Sequence, residues 1–334
     1  MDINNYDEIP LVSIVLPVYN RPEVVKTIES IISQSYKKIE IIIIDNASTD
    51  DTVNCITSLK DPRIKVIVNE KNMGQTYSMN RGLKVASGKY IARIDSDDLA
   101  LPQRIQKQVE YLENNPDCVI CGSSVQVIDD YDNKLFILRN CMTDEGIRIC
   151  QLFRCAFWHP SVMLRTSVIK DNNIFYDEKI KIAEDYDMWA RLLNYGSGHN
   201  INEVLTYYRR GNNNDSKKYI EQMWREAQEI KLRERKLLPD GIIKTLLLKE
   251  YEIENKKNIY LLDVIKSYHL YKKVINNSCT YKDDDYYILL KYIKIELLGL
   301  IELHGKGIER FLFYYGYIFI KKICERVLKR WKKQ

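Results

Sequence analysis

Short apolar runs alternate with amphipathic segments through the first 114 residues of the chain. Runs rich in Ile and Val predict strands, and apolar positions three or four residues apart predict helices. The predicted strands cover 11–18, 39–45, 63–69 and 90–95, and the predicted helices cover 22–34, 49–59, 74–87 and 102–114. This alternation is typical of βαβ units, so we expect an α/β fold with a mostly parallel, Rossmann-like sheet and helices on both faces.

The rest of the chain divides at a polar break, residues 212–216. Before the break, strand-like stretches at 119–128, 161–164 and 201–208 flank a helical segment at 183–193. Beyond it, apolar residues recur at helical spacing, with a single proline and no clear strand. We therefore expect two domains, an α/β domain at 1–215 and an α-helical C-terminal region at 216–334.

Acidic residues follow the fourth predicted strand, where Asp95, Asp97 and Asp98 lie within four residues. Such carboxylates repel one another unless a cation or buried donors compensate them, and hard divalent ions bridge carboxylates to a diphosphate. In the alternative interpretation they form an acidic turn, with Asp98 as the N-cap of the next helix. Parallel sheets bind ligands beyond the carboxyl ends of their strands, and this position favours a metal-assisted site.

A second acidic pair, Glu184 and Asp185, begins the predicted helix at 183–193. A carboxylate that is near a basic group such as Arg191 and partly screened from water is suited to act as a general base. The alternative is that the pair only complements the helix dipole. Trp158 and His159 also allow two interpretations. They offer a sugar an aromatic platform with a polar group beside it, or they are interior core residues.

Polar residues also follow the first two predicted strands, and an asparagine precedes the third predicted helix: Tyr19 and Asn20, Asp45 and Asn46, and Asn72. A tyrosine ring and side-chain amides suit a nucleotide, whereas the segment 72–74 is equally typical of a turn with glycine at positive φ. The chain contains no GxGxxG, GxxxxGK[ST], GxSxG or HExxH motif. A sheet without a glycine phosphate loop needs a metal to hold phosphates.

Positive charge is concentrated at one end of the chain. The formal net charge is +5, but residues 306–334 alone carry +7. A nucleic-acid binder more often spreads charge over a folded face, so we expect no nucleic-acid partner. Apolar and basic residues interleave in this segment, which indicates either an amphipathic helix on an anionic membrane or a helix packed on the protein with a solvated basic end.

The sequence also favours a cytoplasmic protein, with residues 306–334 as a possible peripheral contact to the inner face of a membrane. There is no secretory signal and no run of 18 apolar residues. The eight cysteines follow no disulfide or zinc spacing. Cys118 and Cys121 form a lone CxxC around Val and Ile, which favours a buried strand over a metal site.

Four segments together resemble family 2 glycosyltransferases: VSIVLPVYN at 12–20, DNASTD at 45–50, DSDD at 95–98 and the pair at 184–185. The resemblance covers residues 10–215. It implies the GT-A fold and inverting transfer of a sugar from a nucleotide-diphosphate donor, with a UDP-sugar as the first expectation. The implied acceptor is a hydroxyl of a glycan, a lipid-linked glycan or a protein.

Residue by residue, the resemblance implies a donor pocket lined by Pro17, Val18, Tyr19, Asn20, Asp45, Asn46 and Asn72, with Asp95 and Ser96 near the ribose. It implies that Asp97, the second aspartate of the DxD signature, ligates Mn²⁺ or Mg²⁺ on the diphosphate. It implies that Asp185 is the catalytic base with Glu184 supporting it. Trp158 and His159 are implied to lie near the acceptor.

Three features depart from the family's pattern. Asn46 replaces an aspartate that accepts from a uracil N–H in many members, so the nucleobase stays open between uracil, thymine and guanine. The family's Tyr-Arg-x-His segment reads Tyr-Arg-Arg-Gly at 208–211, without the histidine that can ligate the metal. The QxxRW element of processive synthases is missing, which favours one sugar per encounter. The alternatives are a nucleotidyltransferase that releases pyrophosphate and a catalytically silent binding subunit.

Overall fold

The computed structural model describes residues 9–211 and 219–237, and the chain divides into two compact units at 1–234 and 235–334. The strands among the described residues are β1 (Val12–Val18), β2 (Ile39–Asp45), β3 (Ile64–Val68), β4 (Tyr90–Arg93), β5 (Leu99–Ala100), β6 (Cys118–Ile128), β7 (Lys134–Leu138), β8 (Met163–Arg165) and β9 (Ser197–Arg209). The α-helices are α1 (Val24–Ile32), α2 (Thr52–Thr57), α3 (Gln75–Val85), α4 (Arg104–Asn114), α5 (Asp144–Gln151), α6 (Thr166–Asp171), α7 (Glu184–Leu192) and α8 (Ile220–Leu237).

The strands form one mixed sheet in the order β3-β2-β1-β4-β8-β6-β9-β5, with β7 paired to β6. The half built by β1 to β4 is parallel throughout, as the βαβ alternation predicts. The other half is mixed, because β8 runs against both β4 and β6 and β5 runs against β9, whereas β6 and β9 run parallel. The carboxyl ends of β1, β2 and β4 therefore meet at one edge of the sheet.

Helices cover both faces of this sheet, as expected. On one face, alternate β1 residues such as Ile14 and Leu16 share a core with Ile28 of α1 and Val109 of α4. On the other face α3 packs so closely that a Cβ added at Gly82 would lie 2.4 Å from a Val15 methyl group. Alternation of side chains along a strand explains why neighbouring β1 residues belong to the two different layers.

The eight elements predicted in the first 114 residues are all present, and the α/β class is confirmed. Cys118 and Cys121 lie buried in β6, as the strand interpretation requires. Elements β5, β7, α5 and α6 had not been predicted. The proposed domain boundary at 215 and residues 306–334 lie outside the described residues.

Candidate active site

Two loops at the carboxyl edge of the sheet are held in left-handed backbone conformations. Asn20 after β1 has φ 44° and Ala47 after β2 has φ 63°, which are strained values for residues other than glycine. The loops bind each other, because the Asn20 amide donates to Ser48 Oγ (2.9 Å) and the Thr49 amide donates to Asn20 Oδ1 (2.8 Å). Asp45 accepts from the amide and the hydroxyl of Ser48 (2.9 and 2.5 Å). Asp45 and Asn20 therefore shape this edge.

An asparagine network continues the edge toward α3. Asn46 Oδ1 accepts from Asn69 Nδ2 and from the Met73 amide, each at 2.9 Å, and its Nδ2 donates to Asn72 Oδ1 at 2.8 Å. Gly74 follows with φ 87°, which is the turn geometry considered for this segment. Both polar ends of Asn46 are thus engaged within the protein.

The predicted pocket segment 17–20 divides into a buried and an exposed part. Pro17 and Val18 are buried in β1, opposite Ile44 and Asp45 of β2. The side chain of Tyr19 is 44% exposed, so its ring is the large apolar surface that this segment offers to a ligand.

A buried arginine lies behind the acidic cluster. Arg93 on β4 is 1% exposed, and its two Nη atoms donate to the two carboxylate oxygens of Asp95. This bidentate pairing fixes the plane of the Asp95 carboxylate. Arg93 is a site residue that the sequence analysis missed. The sequence does contain a signal for it, because Arg93 is a lone charged residue in an apolar strand. Residues two positions apart in a strand face the same side, so Arg93 is expected on the side of Asp95.

Asp97 is partly exposed, like Asp95 and unlike the buried Asp98. The Asp97 carboxylate is 25% exposed and lies 3.2 Å from a guanidinium nitrogen of Arg21. Burial and the negative charge of Asp95 raise the pKa of Asp97, against the opposing charges of Arg21 and Arg209. A carboxylate in this position gains from a bound cation.

Asp98 does not cap a helix, so that alternative is wrong. Helix α4 begins only at Arg104, with Gln103 as its N-cap. Asp98 is fully buried instead, and its Oδ1 accepts from the Arg209 amide at 2.7 Å. Arg209 also donates through Nε to the Asp97 carbonyl at 2.9 Å. Strand β9 thereby holds the acidic turn from behind.

The residues fit a metal that arrives with phosphate ligands. No group of three His, Cys, Asp or Glu side chains suited to a metal occurs in the described part of the chain. A Cβ added at Gly211, where the resemblance leads one to expect histidine, would lie 2.1 Å from the carboxylate of the exposed Asp130, which would have to move aside. Mg²⁺ and similar ions are commonly held by one or two carboxylates together with substrate phosphates and water, and Asp97 and Asp95 meet that requirement.

The second acidic pair begins α7, as predicted. Burial and the negative charge of Asp185 raise the pKa of Glu184. Burial also raises the pKa of Asp185 to about 6, which is below the pKa of Glu184. The positive charge of Arg93 favours both anions, whereas the charge of Asp95 disfavours them. The DSDD segment and the pair at 184–185 are thus close enough to share one electrostatic environment. The basic group beside the pair is Arg93.

Arg191, the basic group expected there, binds Asp187 (2.7 Å) and the Phe175 carbonyl instead. Asp185 Oδ1 accepts from the Tyr186 amide at 2.7 Å, and Cys155 Sγ lies 3.6 Å from its Oδ2.

His159 lies beside the acidic pair, and Trp158 directly precedes His159 in the chain. His159 Nδ1 lies 3.9 Å from Glu184 Oε1, and its Nε2 lies 2.9 Å from the Tyr176 hydroxyl. Burial, together with the nearby charge of Arg93, holds the pKa of His159 well below its usual range, so the imidazole is neutral at neutral pH. The indole Nε1 of Trp158 is buried and has no hydrogen-bond partner among the described residues.

Two arginines lie over aromatic rings next to this pair. The Arg154 guanidinium lies 5.3 Å from the Trp158 ring centre, and the Arg210 guanidinium lies 5.3 Å from that of Tyr208. The two rings are 6.4 Å apart. Arg154 also adjoins Cys155, which contacts the Asp185 carboxylate. The group of Arg154, Trp158, Tyr208 and Arg210, hereafter the arginine–aromatic cluster, is therefore next to the candidate base.

Comparison with known proteins identifies the family. A family model described as glycosyl transferase family 2 matches residues 13–171. An uncharacterized glycosyltransferase of Haemophilus influenzae is 31% identical over 95% of this chain and 98% of its own length. The Escherichia coli UDP-Glc:alpha-D-GlcNAc-diphosphoundecaprenol beta-1,3-glucosyltransferase WfaP is 35% identical over 60% of this chain and 77% of its own length.

Solved structures show the same fold. S. aureus TarS 1–349 in complex with UDP-GlcNAc has a TM-score of 0.60 at 16% identity, over 86% of this chain and 88% of that one. The mannosyltransferase PcManGT from Pyrobaculum calidifontis, in complex with GDP-Man and Mn²⁺, has a TM-score of 0.53 at 14% identity, over 89% and 88%. The fold is GT-A, as the motifs implied.

Proposed function

Because the chain belongs to glycosyl transferase family 2, we propose that it is a metal-dependent, inverting enzyme that adds one sugar per encounter from a nucleotide-diphosphate donor to an acceptor hydroxyl. The observation that carries the proposal is the geometry of two carboxylates: Arg93 fixes Asp95 at the end of β4, and the Tyr186 amide and the Cys155 thiol contact Asp185. The first belongs to a site for a diphosphate, and the second is a partly buried carboxylate able to take a proton.

The donor binds at the carboxyl edge of β1 and β2. The exposed ring of Tyr19 stacks on the nucleobase, and the loops fixed by Asn20 and Asp45 form the walls of the pocket. Asn46 holds the walls together with both of its polar atoms, so it does not read the base unless the 72–74 turn opens. The donor is a UDP-sugar in the first instance, as in the TarS complex.

Asp97, with Asp95 fixed beside it by Arg93, would hold a divalent ion at the donor diphosphate. Mn²⁺ or Mg²⁺ bound there would supply positive charge to offset the charge of the departing nucleoside diphosphate. PcManGT is a structural neighbour that carries Mn²⁺.

Asp185 then acts as the general base. It removes the proton of the acceptor hydroxyl as the oxygen attacks the anomeric carbon, and the bond from that carbon to the diphosphate breaks on the opposite side. One displacement inverts the anomeric centre. The Tyr186 amide and the Cys155 thiol orient the Asp185 carboxylate, and Glu184 keeps its own proton to higher pH.

The acceptor binds against Trp158 and His159 and carries a phosphate or diphosphate. The arginine–aromatic cluster supports this assignment, because its rings suit the face of a sugar and its guanidinium groups suit phosphate oxygens. A lipid-linked glycan has both parts, and WfaP is a relative named for a diphosphoundecaprenol acceptor.

Calorimetric titration of UDP-, GDP- and dTDP-sugars, with Mn²⁺ and with a chelator, tests the donor site. Asp97→Ala should lose the metal-dependent part of donor affinity. Asp185→Ala should bind donor like the wild type but lose transfer, which we expect to fall by about 10²–10⁴-fold. Asp171→Ala, at an exposed carboxylate of α6, is the matched control.

Near-wild-type transfer by Asp185→Ala, or absence of binding by every nucleotide sugar, would contradict the proposal. The product separates the rival activity, since a glycosyltransferase releases a nucleoside diphosphate and a nucleotidyltransferase releases pyrophosphate.

A further inference from the structure

Helix α8 lies beyond the segment that matches the family model, yet it contacts the turn that carries the acidic pair. The Glu226 carboxylate accepts three consecutive backbone amides, those of Lys181 (3.1 Å), Ile182 (2.9 Å) and Ala183 (3.0 Å). These residues directly precede Glu184 in an irregular stretch of backbone. The three residues range from the exposed Lys181 to the buried Ala183, and a single side chain from α8 supplies the acceptor for all three amides.

We propose that Glu226 is a positioning residue, which fixes the turn at 181–183 and thereby sets where Asp185 meets the acceptor hydroxyl. The inference rests on the proposed role of Asp185 as base. Helix α7 begins at Glu184 with Ala183 as its N-cap and no side-chain cap. The Glu226 carboxylate instead holds the three amides that lead into α7, from a helix about 40 residues further along the chain.

Glu226 is itself held in the ionised form. Partial burial raises its pKa, but the hydrogen bonds from Gln222 (2.8 Å) and from the three amides lower it further, so the net pKa of Glu226 lies below its usual range. A charged acceptor binds amides more strongly than a neutral one. The turn is therefore tied by charge-assisted hydrogen bonds throughout the neutral pH range.

Two further contacts keep α8 in register with α7. Ile230, one helical turn after Glu226, is buried with Ala183 and Tyr186 in a small apolar cluster. Arg233 forms an ion pair with Asp187, a buried residue of α7. Glu226, Ile230 and Arg233 follow the helical spacing that places side chains on one face. This face of α8 thus binds both the entry and the first turn of α7.

Loss of Glu226 would release the turn without touching the donor site at the other strand ends. Displacement of a reacting group by about 1 Å lowers turnover by as much as about 100-fold. We therefore expect Glu226→Ala in the full-length chain to lower kcat by about 10–100-fold, with donor affinity within about twofold of wild type. Glu226→Gln keeps an acceptor oxygen without the charge and should recover much of kcat.

Glu229→Ala is the matched control, since Glu229 is an exposed carboxylate on the same helix. The readouts are kcat and KM for transfer, calorimetric donor affinity, and hydrogen exchange of the 181–183 amides, which should accelerate in Glu226→Ala and not in Glu229→Ala. Hydrogen exchange needs no substrate, so it tests the anchor even if no nucleotide sugar binds and the proposed function fails.

The inference is overturned if the 181–183 amides stay protected in Glu226→Ala, or if kcat matches that of Glu229→Ala. It is also overturned if Glu226→Ala and Glu226→Gln lower donor affinity by the same factor as kcat, because a general loss of structure would act on both. A selective loss of kcat with partial recovery in Glu226→Gln supports it.

Discussion

The charge balance around Asp185 depends on one buried guanidinium. Arg93 is almost fully buried, is paired with Asp95, and opposes the effect of burial on the pKa of Asp185. A proton acceptor must be ionised before it can act. Burial raises the pKa of Asp185 to about 6. We therefore expect full transfer activity above about pH 6 and a loss of activity as the pH falls through that value.

Arg93→Met tests this balance. Removing the positive charge makes the Asp185 anion less favourable and raises its pKa further, so the acid limb of the pH profile of kcat/KM should move up by about 1 pH unit or more. Arg93→Lys keeps the charge and loses the bidentate geometry, so its midpoint should stay near that of the wild type. An unchanged midpoint in Arg93→Met would mean that Arg93 has no electrostatic role.

At this scale the carboxylates were predictable and their partners were not. A local pattern marks the end of a predicted strand, where Asp95 and Asp97 lie. It also marks the start of a predicted helix, where Glu184 and Asp185 lie. The pairing of Arg93 with Asp95 and the contact of Glu226 with the 181–183 amides depend on side-chain directions and on segments distant in the chain. No local periodicity contains that information.

At the scale of elements, the packing of α3 on β1 determines how rigid the donor edge is. Gly82 faces Val15, a fully buried β-branched residue whose side chain has little freedom to move. Helix α3 begins directly after the 72–74 turn, so its distance from the sheet also sets the position of that turn. A larger residue at 82 would push the helix away from β1.

Gly82→Ala should therefore destabilise the fold, although alanine is the better helix former. Overpacking costs about 1–3 kcal/mol and the gain in helix propensity is about 1 kcal/mol, so we expect a net loss of up to roughly 2 kcal/mol in the free energy of unfolding. Val15→Ala makes room for the new methyl group, so the double variant should lose less than the sum of the two single variants. Urea unfolding of all four proteins measures this, and strict additivity would show that the two residues do not clash.

The two strands that the sequence analysis missed, β5 and β7, lack a local signal of their own. Strand β5 has two residues and exists because β9 pairs with it. Strand β7 is mostly exposed, and its apolar residues Leu135, Phe136 and Ile137 are consecutive. Its sequence therefore lacks the alternation of apolar and polar positions that marks a half-buried strand. Pairing with a neighbour, which is not a local property, creates both strands.

At the scale of the whole molecule, the site and the positive charge lie in different parts of the chain. The proposed site uses residues before 234, whereas the +7 of residues 306–334 exceeds the net charge of the entire chain. No helix among residues 9–211 and 219–237 is long and apolar enough to span a membrane. If the acceptor is lipid-linked, a basic segment would bring the enzyme to the surface where that acceptor lies.

Replacing Lys329, Lys332 and Lys333 with Gln in the full-length chain tests this surface contact. Each lysine near an anionic surface contributes about 1 kcal/mol, so the triple variant should bind vesicles with anionic lipid roughly 100-fold more weakly at low salt. Exposed lysines elsewhere supply a control of equal charge, with Lys65, Lys71 and Lys179 changed to Gln. Added salt should lower the vesicle affinity of the wild type toward that of the triple variant, because exposed charges act over only about 10 Å at moderate ionic strength. Equal sedimentation of wild type and triple variant with anionic vesicles would exclude membrane binding through this segment and favour a helix whose basic end is only solvated.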